Sequence, residues 1–250
     1  MFRFNRLVIL FIVLLTGSLV LKMSLFVSLV ITILFVLTVG YGCFNISSGM
    51  FVKACCTTGT KGILITFDDG PDSEMTPQIL EILKKHNVKA LFFMAGKKSA
   101  ENPELSRKIA KDGHAIGNHT FSHSNLFPIY SVKKMTEEIE RTSAIIEKTI
   151  GKNPQLFRPP FGVTNPNVAA TLRKTGMKVI GWSMRSLDTV TKDPGVLSSR
   201  ILKNIRAGDI ILFHDTCGQT VQILDNFIEV CIERGFEFVD ADYLSGVDND

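Results

Sequence analysis

Acidic residues are missing from the start of this chain: no Asp or Glu precedes Asp68. Tryptophan occurs once and tyrosine three times in 250 residues. Cysteine is also scarce. Cys43, Cys55, Cys56, Cys217 and Cys231 are odd in number, with one adjacent pair and no C-x-x-C spacing. That excludes a disulfide framework and a zinc ribbon, and leaves room for one disulfide without requiring it. There is no internal repeat and no low-complexity tract. A basic excess is absent from most of the chain. Of 28 Lys and Arg residues, Arg3, Arg6, Lys22 and Lys53 precede residue 61, which leaves 24 basic against 24 acidic residues beyond it. The pI near 8.8 therefore comes from the N-terminal segment. The remainder has no surplus for a phosphate backbone, so nucleic acid is not an expected partner.

What the N-terminus carries is hydrocarbon. Leu7–Leu21 and Met23–Tyr41 are apolar, broken only by Lys22 and by small or hydroxyl residues. About 20 residues cross a bilayer core, so the two stretches exceed one upright helix. They also exceed the short apolar region of a cleaved signal peptide. Gly-Tyr-Gly before Cys43 does not suit a lipoprotein site. Two arrangements are open: one span at Met23–Tyr41 behind an interfacial helix, or a hairpin of two spans turning near Lys22. One span with Arg3, Arg6 and Lys22 inside puts the remainder outside the cell membrane. Two spans return it to the cytoplasmic side, which Lys53 and Lys61 suit. We expect residues 1–60 to form a membrane anchor and linker, with Cys55–Gly62 as the linker, and residues 61–250 to form one folded domain.

Beyond residue 61 short apolar runs alternate with helical spacing. Strands are expected at Ile63–Phe67, Val88–Met94, His114–Gly117, Leu156–Arg158, Lys178–Ser183, Asp209–Phe213 and Phe236–Val239. Helices are expected at Thr76–His86, Pro103–Lys111, Val132–Ile150, Asn165–Thr175, Pro194–Arg206 and Gln219–Arg234. This alternation implies an α/β fold with parallel strands. About seven units in about 190 residues suit a compact (β/α) barrel.

Chemistry-bearing residues gather where these strands end. Asp68-Asp69-Gly70-Pro71 follows the first. Of two adjacent carboxylates there, one can bind a metal and the other act as a base; a solvated, helix-capping turn is the plainer alternative. His119 and His123 are four apart, and on one helical turn both would reach one cation; a surface pair is the alternative. His114 reads as structural and His86 as solvated. Arg158-Pro159-Pro160-Phe161-Gly162 has a backbone stiffened by two prolines, and Arg158 can hold a carboxylate in a bidentate pair. His214, at the tip of a buried strand, is placed to act as a general acid.

These motifs, in this order, resemble the polysaccharide deacetylase family, also called the NodB-homology domain or carbohydrate esterase family four. The matching segments are Thr66–Pro71, His119–His123, Arg158–Gly162 and Leu212–His214. The resemblance implies a distorted (β/α) barrel. It implies that Asp69, His119 and His123 bind a divalent transition metal, zinc first, and that Asp68 deprotonates the attacking water. It implies that His214 protonates the leaving amine and that Arg158 orients Asp68. The Phe161 amide becomes an oxyanion donor, Leu212 lines the pocket for the acetyl methyl, and Trp182 joins them as a substrate-facing position. After Trp182 the sequence departs from the family. Arg185 stands where the family has the Asp that tunes the histidine acid, and Thr189 where it has a pocket Trp. Asp188 remains, either to orient His214 or to pair with Arg185.

The expected activity is metal-dependent removal of N-acetyl groups from N-acetylglucosamine-type residues of a cell-envelope glycan such as peptidoglycan. The expected location is the inner membrane of a bacterium, with the domain extracytoplasmic because such a polymer lies there. Other readings are a deacylase of a lipid-linked amino sugar, an O-acetyl xylan esterase, and a non-catalytic glycan-binding module. Binding alone would not call for both Asp68 and His214.

Overall fold

A computed structural model of the protein describes residues 2–241 and Leu244; the remaining C-terminal positions of the expected domain lie outside the described residues. Two apolar helices come first, α1 (Phe2–Val20) and α2 (Leu25–Phe44). At 1.5 Å per residue each is about 28–30 Å long, the thickness of a bilayer's hydrocarbon core. They form an antiparallel hairpin that turns at Lys22 (φ 52°). The Ser18 and Ser28 hydroxyls meet across it at 2.9 Å, and the Phe11 and Phe35 rings stack with centroids 4.1 Å apart. Most of its large side chains, such as Leu21, Leu25 and Phe26, are exposed. Both helices are long and apolar enough to cross a bilayer by length and composition.

Seven strands follow: β1 (Leu64–Asp68), β2 (Ala90–Met94), β3 (Ala115–Asn118), β4 (Leu156–Phe157), β5 (Lys178–Val179), β6 (Met184–Arg185) and β7 (Ile210–His214). Every pairing is parallel, in the order β5-β4-β3-β2-β1-β7-β6. The sheet curls into a half-barrel with β5 and β6 at its free edges. The other helices are α3 (Met75–Lys85), α4 (Gly96–Glu101), α5 (Pro103–Lys111), α6 (Val132–Ile150), α7 (Pro166–Thr175), α8 (Pro194–Asn204) and α9 (Gly218–Glu233). Strands β1 and β2 are wholly buried, and β2 reads as an unbroken apolar run, as suits a strand covered on both faces. Phe67, Phe92, Phe213 and Phe227 lie in the largest apolar cluster, against α3, α8 and α9.

Of the expected strand at Lys178–Ser183 only Lys178–Val179 is strand, and a second strand starts just past it at Met184. Strand β5 ends at Val179, the chain crosses the open seam of the barrel, and β6 begins on the opposite edge. Gly181 makes the crossing because a side chain there would overlap Cys56 Sγ. The expected strand at Phe236–Val239 is a single bridge, with Phe238 paired to Ile63. Helix α4, too short to show a period, was not expected.

The expected linker is not a free tether. Cys55 pairs with Ile180 and Thr57 with Asp209, so this segment runs from the end of β5 to the residue before β7. Ile46 (4% exposed) packs with Phe157, Val168 and Val179. At the hairpin's open end Arg3 Nη1 donates to the Ser48 carbonyl at 2.7 Å. Thr164 N donates to the Cys43 carbonyl at 3.0 Å. Ile46→Ala is therefore expected to destabilise the domain by roughly 2–4 kcal/mol, as for a buried aliphatic truncation, seen as a lower unfolding midpoint of the detergent-solubilised chain. An unchanged midpoint would mean that the segment is a tether after all.

Candidate active site

Parallel strands deliver Asp68 and His214 side by side, since β1 and β7 pair them in register. Asn118, the last residue of β3, hands the chain to His119, and Arg158 follows β4. All lie at the carboxyl ends of strands, where open α/β folds place their ligand sites. The backbone there is bent hard. Among the described residues seven non-glycine residues have positive φ, and five of them are Asp69 (75°), Thr120 (67°), His123 (45°), Phe161 (60°) and Leu187 (66°). Each such residue costs about 1–3 kcal/mol and persists only where its surroundings enforce it.

Asp69 Oδ1 lies 3.4 Å from His119 Nε2 and 3.2 Å from His123 Nε2. One donor atom from each residue falls within 4.8 Å of the others. The two histidines do not share a helical turn, as their spacing suggested; they sit in a loop. That loop is held by Asn118 Oδ1, which accepts from Thr120 N at 2.9 Å, and by Glu138 Oε2, which accepts from Phe121 N and Ser122 N. His119 Nδ1 donates to the Arg158 carbonyl at 2.7 Å, because a carbonyl can only accept. Nε2 is thereby left as the lone-pair atom facing Asp69.

Burial alone would raise the Asp69 carboxyl, yet the imidazoles of His119, His123 and His214 hold it well below the carboxylate range. His119 is wholly buried, which lowers its affinity for a proton, but the Asp68 and Asp69 carboxylates outweigh this and raise it. Burial and the charge of His119 push His123 down, toward the neutral form. This point therefore favours positive charge between carboxylates and imidazoles. Asp69 Oδ1 is buried with no hydrogen-bond partner, an orphan that native structures seldom leave. Two imidazoles, one carboxylate and an unsatisfied acceptor fit a divalent transition ion of zinc type.

Beside this cluster Asp68 Oδ2 is 3.7 Å from His119 Nε2, while its Oδ1 accepts from Arg158 Nη1 at 2.7 Å. The expected bidentate pair is not formed. Arg158 is 0% exposed; it spends Nε on the Ile180 carbonyl (3.0 Å) and Nη2 on the Gly181 carbonyl (2.6 Å). Only Nη1 remains for Asp68 and the Thr66 hydroxyl (2.8 Å). Across the cluster, His214 Nε2 is 4.0 Å from Asp69 Oδ2. Its Nδ1 donates to Asp188 Oδ1 at 2.7 Å. Asp188 Oδ2 accepts from His214 N and the Thr220 hydroxyl. Burial lowers the His214 imidazole, and the hydrogen bond and charge of Asp188 more than reverse it, so His214 holds its proton above the ordinary range. Arg185, the other partner considered for Asp188, is exposed on β6.

Phe161 is half exposed, with its ring edge against His123 at 5.0 Å. Trp182 packs on Gly162, where a side chain would collide with its ring. Leu212 is buried yet belongs to none of the three apolar clusters of the described residues. Sequence reasoning missed Thr66, Asn118, Glu138, Thr220 and Asp215. Asp215 accepts from the Thr76 hydroxyl at 2.7 Å and fills the space above Gly70; burial pushes its carboxyl up to about 7. Its place after His214 was the one available signal. The two remaining histidines lie away from the site. Buried His114 accepts from Ala90 N, and His86, expected to be solvated, pairs with Asp225 at 2.6 Å.

A family model described as polysaccharide deacetylase matches residues 56–180. A peptidoglycan-N-acetylglucosamine deacetylase of Bacillus cereus is 37% identical over 193 residues, 74% of this chain and 88% of that protein. This chain belongs to the polysaccharide deacetylase family. The peptidoglycan-N-acetylglucosamine deacetylase PgdA of Listeria monocytogenes is 35% identical over 74% of this chain, which spans only 39% of that longer relative. A solved peptidoglycan N-acetylglucosamine deacetylase, in complex with an N-hydroxybenzamide, superposes with TM-score 0.73 at 31% identity, over 79% of this chain and 94% of that one. A CE4 family pseudoenzyme from Bacillus anthracis is similar too, with TM-score 0.67 at 30% identity over 72% and 64% of the two chains. Membership alone therefore does not decide activity; the side chains must.

Purified protein is expected to bind one equivalent of Zn2+ by elemental analysis. His119→Ala and Asp69→Ala should lose it, while Asp68→Asn keeps it. Equal loss from both Asp variants would contradict this division of the two carboxylates.

Proposed function

We propose that the chain is a metal-dependent hydrolase that removes the acetyl group from the nitrogen of N-acetylglucosamine-type residues in a glycan. The observation that carries this reading is a base and an acid on opposite sides of one ligand triad, each fixed by its own buried partner. We assign residues 1–60 to the anchor and strap and 61–250 to the hydrolase. Held by Asp69, His119 and His123, the metal would polarise the acetyl carbonyl and lower the pKa of the attacking water.

The protein's own groups then have separate tasks. Asp68, with one oxygen tied to Arg158, takes the proton of the water through the other. The Phe161 amide, in its left-handed turn, donates to the oxygen that becomes negative. His214 gives its Nε2 proton to the departing nitrogen as the C–N bond breaks, leaving acetate and a free amine. Leu212 receives the methyl group, and Trp182 and Phe161 flank the sugar. Asp188 acts through His214 rather than on substrate. Family members named for peptidoglycan and for chitooligosaccharides support an N-acetylglucosamine glycan as the substrate class.

A second reading of the location is favoured by the hairpin. If α1 and α2 both cross the bilayer, the N-terminus and the domain lie on one side. Arg3 and Arg6 in the first turns of α1, and Lys53 and Lys61 beyond α2, lie at that open end, against Lys22 alone at the tip. Basic flanks stay cytoplasmic, so a spanning hairpin supports a cytoplasmic domain, opposite to the extracytoplasmic placement expected from a polymer substrate. There the deacylation of a lipid-linked amino sugar fits best. The turn that carries Phe161 also adjoins the membrane end of α2 through the Thr164–Cys43 hydrogen bond.

Acetate release from an N-acetylglucosamine oligomer by the full chain, abolished by chelator and restored by Zn2+, tests the reaction. Its basic limb tests Asp188. His214 must be protonated to act, and Asp188 raises its pKa, so activity falls as pH rises through a value above the ordinary 6.5. Asp188→Asn should move that limb to lower pH, whereas Arg185→Ala should leave it or raise it. A limb that stays in place for Asp188→Asn would remove His214 from the role of acid. Labelling of a cysteine introduced at Lys22 from outside intact cells, with protection of residues 61–250 from external protease, is the expected result for the hairpin topology.

A further inference from the structure

A cavity of about 810 Å³ opens between the end of α2 and the β6–α8 edge of the barrel. Its walls include Phe44 and Ser47 from the chain just leaving α2, Trp182 from the seam crossing, and the guanidinium-bearing Arg185, Arg200 and Arg206. One carboxylate, Asp209, lines it, and that group is already engaged by the Ser183 hydroxyl (2.7 Å) and Arg206 N (2.7 Å). Arg200 is fixed in place, with Nη1 donating to the carbonyls of Arg185 (2.8 Å) and Ser186 (2.6 Å). Among the described residues, the side chains of Arg185 and Arg206 make no hydrogen bond or ion pair. Three arginines thus line one cavity with a single carboxylate whose oxygens are already hydrogen-bonded.

We propose that this cavity binds the phosphate headgroup of a membrane lipid. Guanidinium forks match phosphate oxygens in pairs and are weakly hydrated, so they suit such a group better than ammonium does. The apolar wall at Phe44 belongs to the last residue of a helix long enough to cross the bilayer, which sets the cavity at headgroup depth, where basic pockets beside membrane helices take anionic lipids. Arg185 therefore has a task distinct from that of the acid found at its position elsewhere in the family. Trp182 is shared between this cavity and the catalytic turn, where it packs on Gly162. The inference rests on the membrane placement of α1 and α2 but not on the reaction assigned to the site.

Trp182 is the single tryptophan of the chain, so its fluorescence reports occupancy directly. The full chain in neutral detergent is titrated with dihexanoyl phosphatidic acid, dihexanoyl phosphatidylcholine and inorganic phosphate. A saturable fluorescence change with phosphatidic acid is expected, at least tenfold weaker with inorganic phosphate and absent with phosphatidylcholine. The double variant Arg185→Gln/Arg206→Gln should weaken phosphatidic acid binding at least tenfold while its Zn2+ content and unfolding midpoint stay as in the parent. Equal affinity for inorganic phosphate would make this a free-anion site and overturn the lipid assignment. Unchanged binding by the double variant, or no saturation at all, would overturn the site. Flotation of the full chain with phosphatidylcholine vesicles tests membrane insertion separately, so failure of the pocket and failure of the hairpin are distinguishable.

Discussion

The guanidinium of Arg158 is sealed from solvent, and the geometry of the site is organised around that fact. A buried cation without partners would cost several kcal/mol, so its donors must be met inside the protein. They are met by four groups from distant parts of the chain: Thr66 and Asp68 at the end of β1, and the carbonyls of Ile180 and Gly181 where the chain crosses the seam. Its own carbonyl accepts from His119. One side chain and its carbonyl therefore couple the base, a candidate ligand and the closure of the barrel. A lysine in its place would offer a compact point charge instead of a fork and could not reach both sides of the seam in the same geometry.

Two imidazoles of similar intrinsic chemistry are held in different protonation states by their neighbours. His123 faces His119 and burial, and is driven toward neutrality. His214 faces Asp188, and is driven to keep its proton. The rim can thus hold a lone-pair donor and a proton donor a few ångströms apart at one pH. The strained φ values at Asp69, Thr120, His123 and Phe161 aim these groups inward from loops. The adjacent strands, fully buried and in parallel register, resist the relaxation that would release that strain.

Strand ends that carry charge were legible because apolar runs such as Ile210–Phe213 stop abruptly at polar residues, and that contrast survives without coordinates. The motif residues could be found for the same reason. What could not be read was short or long-range. Strands β5 and β6 hold two residues each, less than one period of alternation, so the crossing at Gly181 passed for a continuous strand. The loop that carries His119 and His123 passed for a helical turn because four-residue spacing does not record φ. Thr220 and Glu138 gave no signal, since each matters only through a hydrogen bond to a residue far along the chain or across a loop. The choice between Asp188 and Arg185 as partners was undecidable from spacing; the turn at Leu187 (φ 66°) separates the two side chains, sending one inward to His214 and the other to the surface.

The seam of the half-barrel explains why the N-terminal segment belongs to the domain mechanically. Seven parallel strands that fail to close leave backbone groups of β5 and β6 unpaired at two edges. Residues 55–58 cover the β5 edge and reach the approach to β7, with Cys55 N donating to Val179, Gly181 N donating to Cys55, and Thr58 N donating to Gly208. The same segment begins only ten residues after α2 ends, and Ile46 within that interval is part of the core. The helices are therefore joined to the barrel by a packed strap. Because the seam's crossing residues, Ile180 and Gly181, are also the acceptors of Arg158, and Arg158 holds Asp68, the path from the helix ends to the proposed base runs through hydrogen bonds and packed side chains only. A barrel anchored by a flexible linker would have no such path.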